Sequence, residues 1–196
     1  MKKLLFSVLV TASLGLSAQD YSVPAASPRQ KIEQQFSLSK ITVDYGRPAV
    51  KGRKIFGELV PFGKVWRAGA NSSTKIAFGQ PVTVAGKDVA AGTYGLYILP
   101  ESEKSWKIIL NKDSQSWGAY TFDEKLNVLE FSVPVVAVAK TEYFTITLTP
   151  KEDGNMNLNM AWDTSSVNLE IKPANLEKTT RMINQLMEVK KIEREK

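Results

Sequence analysis

The sequence predicts an all-β protein: an antiparallel β-sandwich or barrel-like sandwich of about 8–10 strands with one C-terminal α-helix. Three observations predict it. Apolar and polar residues alternate with period two in short runs between Ile32 and Lys172, the pattern of strands with one face in a core and one in water. Turn-forming residues separate the runs at short spacing. After Pro173 the apolar spacing becomes that of a helix.

The elements follow in chain order. Met1-Lys2-Lys3, an apolar run from Leu4 to Leu16 and then Ser17-Ala18-Gln19-Asp20 read as a secretory signal peptide, residues 1–18, cut after Ala18. The run is too short to span a bilayer, which takes about 20 apolar residues, and no Cys follows it to carry a lipid. The mature chain is therefore expected in the periplasm or outside the cell, with no transmembrane segment once the signal is removed. Residues 19–172 form one β-rich domain and 173–196 a helix with a charged tail.

Within the domain, Ile41, Val43 and Tyr45 alternate with Thr42, Asp44 and Gly46. Thr74, Ile76 and Phe78 form a second run, and Val82 with Val84 a third. Trp106, Ile108 and Leu110 follow, then Phe144, Ile146 and Leu148. Met156, Leu158, Met160 and Trp162 oppose Asn155, Asn157 and Asn159, and Val167, Leu169 and Ile171 close the series. Ala85-Gly86-Lys87 and Ala91-Gly92-Thr93 are turn signals, and Asp153-Gly154 reads as a hairpin turn closing 141–149 onto 155–162. Residues 46–73 break the rhythm, with five glycines and two prolines; a loop that long is functional or wrapped on the surface. At the end Asn175 is placed as an N-cap, and Leu176, Met182, Ile183, Leu186 and Val189 recur at helical spacing. Residues 175–192 are expected to form an amphipathic helix packed on the sandwich or on a partner.

Composition removes whole classes of chemistry. The 196 residues contain no Cys and no His, which excludes disulfides, thiolate nucleophiles, imidazole bases and their metal ligation. The +6 net charge falls to +4 without Lys2 and Lys3, and the excess is local. Residues 40–75 carry Lys40, Arg47, Lys51, Arg53, Lys54, Lys64, Arg67 and Lys75 against only Asp44 and Glu58. The rest of the body is net acidic, with 10 basic and 14 acidic residues.

The same segment carries a family resemblance. Val43-Asp44-Tyr45-Gly46-Arg47-Pro48, Lys51-Gly52-Arg53-Lys54-Ile55-Phe56-Gly57 and the run from Val60 through Trp66-Arg67-Ala68-Gly69-Ala70-Asn71 resemble exported bacterial β-rich proteins known as domain of unknown function 2911. Ala91-Gly92-Thr93-Tyr94 and Trp117-Gly118-Ala119-Tyr120 add to it, and the likeness runs from about Ser27 to Ile171. The resemblance implies a β fold and export and supplies no reaction. Where the family pattern carries Tyr-Ser-Arg-Pro, this chain has Gly46, so no hydroxyl role can be placed there.

Arginine is the informative residue of the segment. A planar guanidinium meets a carboxylate or phosphate with two parallel hydrogen bonds, and aromatic faces suit sugar rings. The candidate ligand-binding set is Tyr45, Arg47, Arg53, Lys64, Trp66, Arg67, Asn71, Trp117 and Tyr120, for an anionic small molecule, an acidic glycan or an envelope partner. The structural alternative is that Arg47 and Arg67 pair with Asp44, Asp123 or Asp163 while Trp66 and Phe62 plug one end of the sandwich. No nucleic acid is expected, because export and an acidic remainder argue against it. Asp153 with Asn155, Asn157 and Asn159 lacks the glycine and distal Glu of a calcium loop and reads as a polar ladder on a strand. No cofactor or metal is implied and no catalytic motif is recognised. A glycan hydrolase would have to use a carboxylate pair from Asp44, Glu58, Asp123 and Asp163.

Overall fold

The structure, a computed structural model, describes residues 23–194. The expected signal peptide and its cut after Ala18 lie outside the described residues. Ten strands follow in order: β1 Arg29–Phe36, β2 Ser39–Gly46, β3 Thr74–Phe78, β4 Val82–Val84, β5 Lys87–Val89, β6 Gly92–Ser102, β7 Ser105–Asn111, β8 Asn127–Pro134, β9 Val136–Pro150 and β10 Met156–Pro173. The helix α1 spans Leu176–Arg194. All pairings between strands are antiparallel. The strands form a six-stranded sheet, β1-β2-β3-β6-β7-β8, and a four-stranded sheet, β5-β4-β10-β9. The architecture is sandwich-like, with no closed barrel.

The period-two runs point where alternation requires. Ile41, Val43 and Tyr45 on β2 are buried, as are Ile76 and Phe78, Trp106 and Ile108, and Phe144 and Ile146. Leu148 is only partly buried against the same core. Strand β6 departs from the pattern. Tyr94 to Ile98 are all buried, because the strand lies inside the sheet and carries partners on both faces, so its sequence reads as one apolar run. The Asp153-Gly154 turn closes β9 onto β10 as expected, with Gly154 N–H donating to Lys151 O at 3.0 Å and Gly154 at φ 79°.

One strand reverses within itself. Asn157 donates to Asn168 at 3.1 Å and Asn159 to Ser166 at 2.6 Å. Along one extended strand, positions 157 and 168 would stand about 36 Å apart. The two halves of β10 therefore lie side by side, and the chain turns back at Asp163, whose φ of 53° is the left-handed conformation that tight hairpin turns use. The polar ladder expected from the asparagines is thus a cross-strand ladder between the halves. Around this tip the register with β9 shifts twice, between Ala161 and Asp163 and between Asp163 and Ser165.

On the exposed face of the same hairpin, Glu170 accepts from Lys151 at 2.5 Å and Lys172 lies 3.0 Å away. These hydrogen bonds and charges hold the Glu170 carboxyl down at about 2, from 4.5. A lowered folded-state value gives stability that is present above pH 4.5 and lost as pH falls toward 2. Because the group lies at the surface, salt screens the effect. Urea titrations at low salt should show this decline, Glu170→Gln should make it shallower, and about 1 M salt should do the same. An unchanged slope in Glu170→Gln would contradict the assignment.

The C-terminal helix forms as expected and packs on the sandwich only at its start. Asn175 Oδ1 accepts from Lys178 N–H at 3.1 Å, so the cap forms. Only the beginning of α1 meets the sandwich. Thr179 is its one buried residue among those described, while Met182 is 44% exposed, Leu186 50% and Val189 52%. At 1.5 Å per residue the helix runs on past the end of the sheet, so most of its apolar stripe has no sheet opposite it. No helix among the described residues is long and apolar enough to cross a membrane.

Candidate functional site

The structure divides the candidate residues into four groups. Tyr45 and Trp66 belong to the core. Tyr45 is fully buried, and its hydroxyl donates to Gln30 Oε1 at 2.8 Å while accepting from Ile146 N–H at 2.9 Å. Trp66 lies beside β6, exchanging backbone hydrogen bonds with Ile98 at 2.7 and 2.8 Å. It continues along β6 where β3 ends. Its ring stacks on Trp162 at 5.4 Å and meets Phe144 edge-on at 5.0 Å, while its indole N–H donates to Gly69 O at 3.0 Å. Neither ring offers a face to a ligand. Trp66 packs within the core, as the structural alternative expected of it, whereas its expected companion Phe62 is only partly buried and stands outside the core cluster.

Arg47 has a second role. The outer edge of β9 would leave backbone groups unpaired, a liability that proteins cover. Here Phe144 N–H donates to Pro48 O at 2.9 Å, and Val50 N–H to Glu142 O at 2.8 Å. Arg47 Nε donates to Phe144 O at 3.2 Å and Nη2 to Thr145 Oγ1 at 2.9 Å, with the guanidinium 5.7 Å from the Tyr143 ring centroid. The start of the glycine-rich segment therefore seals a sheet edge, and Arg47 and Tyr45 are part of the seal. Arg53 folds onto its own loop, donating to Ala49 O at 2.6 Å and Val50 O at 3.1 Å. The expected pairing of Arg47 and Arg67 with carboxylates does not occur among the described residues. Asp44 pairs instead with Arg29 at 2.7 Å.

Arg67 and Tyr120 come together on the surface, with Asn71 and Trp117 on the same two loops. Loop 66–74 closes on itself, with Thr74 Oγ1 donating to Ala68 O at 2.6 Å and Thr74 N–H to Arg67 O at 3.2 Å. It is stapled to loop 112–122: Ser73 N–H donates to Ser116 O at 3.1 Å, Ser73 Oγ to Gly118 O at 2.6 Å, and Ser72 bridges Trp117. Tyr97, fully buried, donates to Ser73 Oγ at 3.1 Å and fixes the staple to β6. The second loop is held by Asp113, which accepts from Gln115 N–H at 2.8 Å and from the Ser116 hydroxyl. The Ser116 hydroxyl, then the Gln115 amide, hold its carboxyl below the usual carboxylate range.

Gly118, at φ 76°, sits at the centre of this patch. A Cβ there would lie 3.0 Å from the Tyr120 ring and 3.6 Å from Arg67 Nη1, so ring and guanidinium converge over a residue with no side chain. Arg67 is half-buried, and its Nε is shielded from solvent with no hydrogen-bond partner among the described residues. Trp117 and Tyr120 are 66% and 88% exposed, unusual for rings of that size. Asn71 is exposed beside Ser72, at φ 64°. Lys64 is exposed elsewhere on the loop, and among the described residues no hydrogen bond or ion pair joins it to the patch.

The four carboxylates weighed for hydrolysis stand on four different elements. Asp44 pairs with Arg29, Glu58 lies 3.7 Å from Lys54, Asp123 caps a short 3₁₀ turn by accepting from Lys125 N–H, and Asp163 is at the β10 tip. Among the described residues no group of three or more acidic side chains is placed to hold a metal ion. The Ser73–Tyr97–Gly118 staple was invisible in the sequence, since its hydroxyls are common residues joined only by the fold.

Gly46 stands where a side chain would have no room. A Cβ on Gly46 would lie 2.2 Å from Ala70 O, so loop 68–71 crosses β2 where only glycine leaves room. No curated protein and no solved structure matches the chain. A family profile, described as protein of unknown function (DUF2911), matches residues 27–171. With well over half of its length in that match, the chain belongs to this family.

Proposed function

We propose that this is an exported, non-enzymatic binding module that holds an anionic small molecule or acidic glycan at the Arg67, Asn71, Trp117 and Tyr120 patch. The observation that carries the reading is Arg67. It is a half-buried guanidinium that makes no hydrogen bond or ion pair from its side chain among the described residues, with the exposed Tyr120 ring beside it and the exposed Trp117 on the same loop. A buried polar atom without a partner is uncommon and calls for an explanation. A carboxylate or phosphate bound at the free guanidinium edge would neutralise the charge, and Trp117 and Tyr120 would flank a ring attached to it. The rigidly stapled loops keep the ordering cost of binding low. Arg47 and Arg53, engaged with backbone carbonyls, act as structural neighbours.

Titration calorimetry with glucuronate, glucose and inorganic phosphate tests the proposal. Glucuronate should bind about tenfold or more tightly than glucose, Arg67→Ala should abolish the difference, and Trp117→Ala should weaken binding by a similar factor. Phosphate binding as tight as glucuronate would assign the patch to small anions instead of sugar acids. No saturation with either anion, or binding indifferent to Arg67→Ala, would defeat it.

A further inference from the structure

A second concave site lies apart from the Arg67 patch and shares no lining residue with it. It is a cavity of about 490 Å³ where three turns meet: loop 54–56, the β6–β7 turn at 103–104 and the β10 tip at 163–165, beside the β8–β9 crossover. Its volume falls within the range of small-molecule sites. Ile55, Phe56, Trp106 and Val135 supply apolar lining. The Phe56 ring is held by Trp106 at 4.3 Å and Trp162 at 6.2 Å, so this wall is rigid.

The charged lining is of both signs. Asp163 and Glu103 contribute carboxylates, Lys104 and Lys54 ammonium groups. Lys54 faces Glu58 at 3.7 Å, an exposed and weak pair. The side chains of Asp163, Glu103 and Lys104 make no hydrogen bond or ion pair among the described residues. Asp163 is half-buried at the tip of a hairpin that its left-handed φ defines. Glycine or asparagine would serve such a turn as well, so the turn itself does not require the carboxylate.

We propose that this cavity binds a small zwitterion with an apolar body, a short apolar peptide, its ammonium group on Asp163, its carboxylate on Lys104 and its side chains against Phe56 and Val135. Unpaired charges of both signs on one rim, around an apolar wall, complement a ligand that carries both charges at its ends. The site is independent of the proposed anion patch.

The experiment is calorimetric titration of the purified chain with the dipeptide Leu-Phe, its N-acetyl form and its C-terminal amide. Leu-Phe should saturate below about 10 mM, and each blocked form should bind about tenfold or more weakly. Asp163→Asn, which keeps the turn, should weaken Leu-Phe about tenfold while leaving the acetylated form unchanged. Lys104→Ala should do the converse with the amide. If Asp163→Asn fails to fold, Asp163→Gly gives the same reading. Arg67→Ala should leave Leu-Phe binding intact, which separates this site from the other. No heat with Leu-Phe, equal binding of the blocked forms, or loss of Leu-Phe binding in Arg67→Ala would overturn the proposal.

Discussion

Trp162→Ala will lower stability by about 3–5 kcal/mol, the range for truncating a buried aromatic, and the melting temperature by about 10 °C. The residue is 1% exposed and stands where both sheets and the glycine-rich segment meet. Trp66 stacks on it at 5.4 Å, Phe144 lies at 6.0 Å and Phe56 at 6.2 Å. Removing the indole opens a void among rings that cannot move into it without unseating loop 54–66. Trp162→Phe should cost less than half as much, because Trp162 Nε1 is buried with no hydrogen-bond partner and its removal forfeits no bond. Urea unfolding of both variants checks the order. A loss under about 1 kcal/mol for Trp162→Ala would mean that the aromatic cluster does not hold the segment in place.

Tyr45→Phe will cost about 1–3 kcal/mol, a large effect for one oxygen atom. The hydroxyl accepts from Ile146 N–H at 2.9 Å on the edge of β9, and deleting it leaves that donor buried and unpaired. The ring itself stays, edge-on to Phe144 at 5.9 Å, so packing is kept and the loss reports the hydrogen bond. Burial also raises the Tyr45 pKa above its ordinary 10. A raised folded-state value means that stability is complete below pH 10 and is lost as pH rises above it, when the unfolded chain ionises first. Tyr45→Phe should therefore reduce the alkaline decline as well as neutral-pH stability. Calorimetric scans from pH 7 to about 11 measure both. Glucuronate affinity should be unchanged, since Tyr45 does not reach the Arg67 patch; a loss of affinity at full stability would return this residue to the ligand site.

Most of the sandwich was legible because alternation on half-buried strands is a local signal. Met156 to Met160 and Val167 to Ile171 announced their buried faces residue by residue. Strand β6 was not legible in that way, since burial on both faces erases the alternation. The joining of the asparagine run to the 166–170 run through a turn at Asp163 was also hidden, because aspartate at that position marks a turn only weakly. For the candidate site, composition identified the arginines and aromatics but not their partners. Arg47, Arg53 and Arg67 share one segment and one charge, yet two of them satisfy backbone carbonyls.

The sequence by itself determined the strand-rich class, the expectation of export, the exclusion of thiol and imidazole chemistry, and the concentration of positive charge in residues 40–75. Each is a property of composition or of spacing along the chain. Which arginine stays free was decided by tertiary structure alone. Arg47 is spent on the open edge of β9, a feature that arises only when the two sheets are assembled. Arg67 stays without a carboxylate because Ser73 and Tyr97 fix its loop beside Trp117 and Gly118. The same assembly brings three distant turns around Asp163, Glu103 and Lys104, whose charges no local pattern could have placed together.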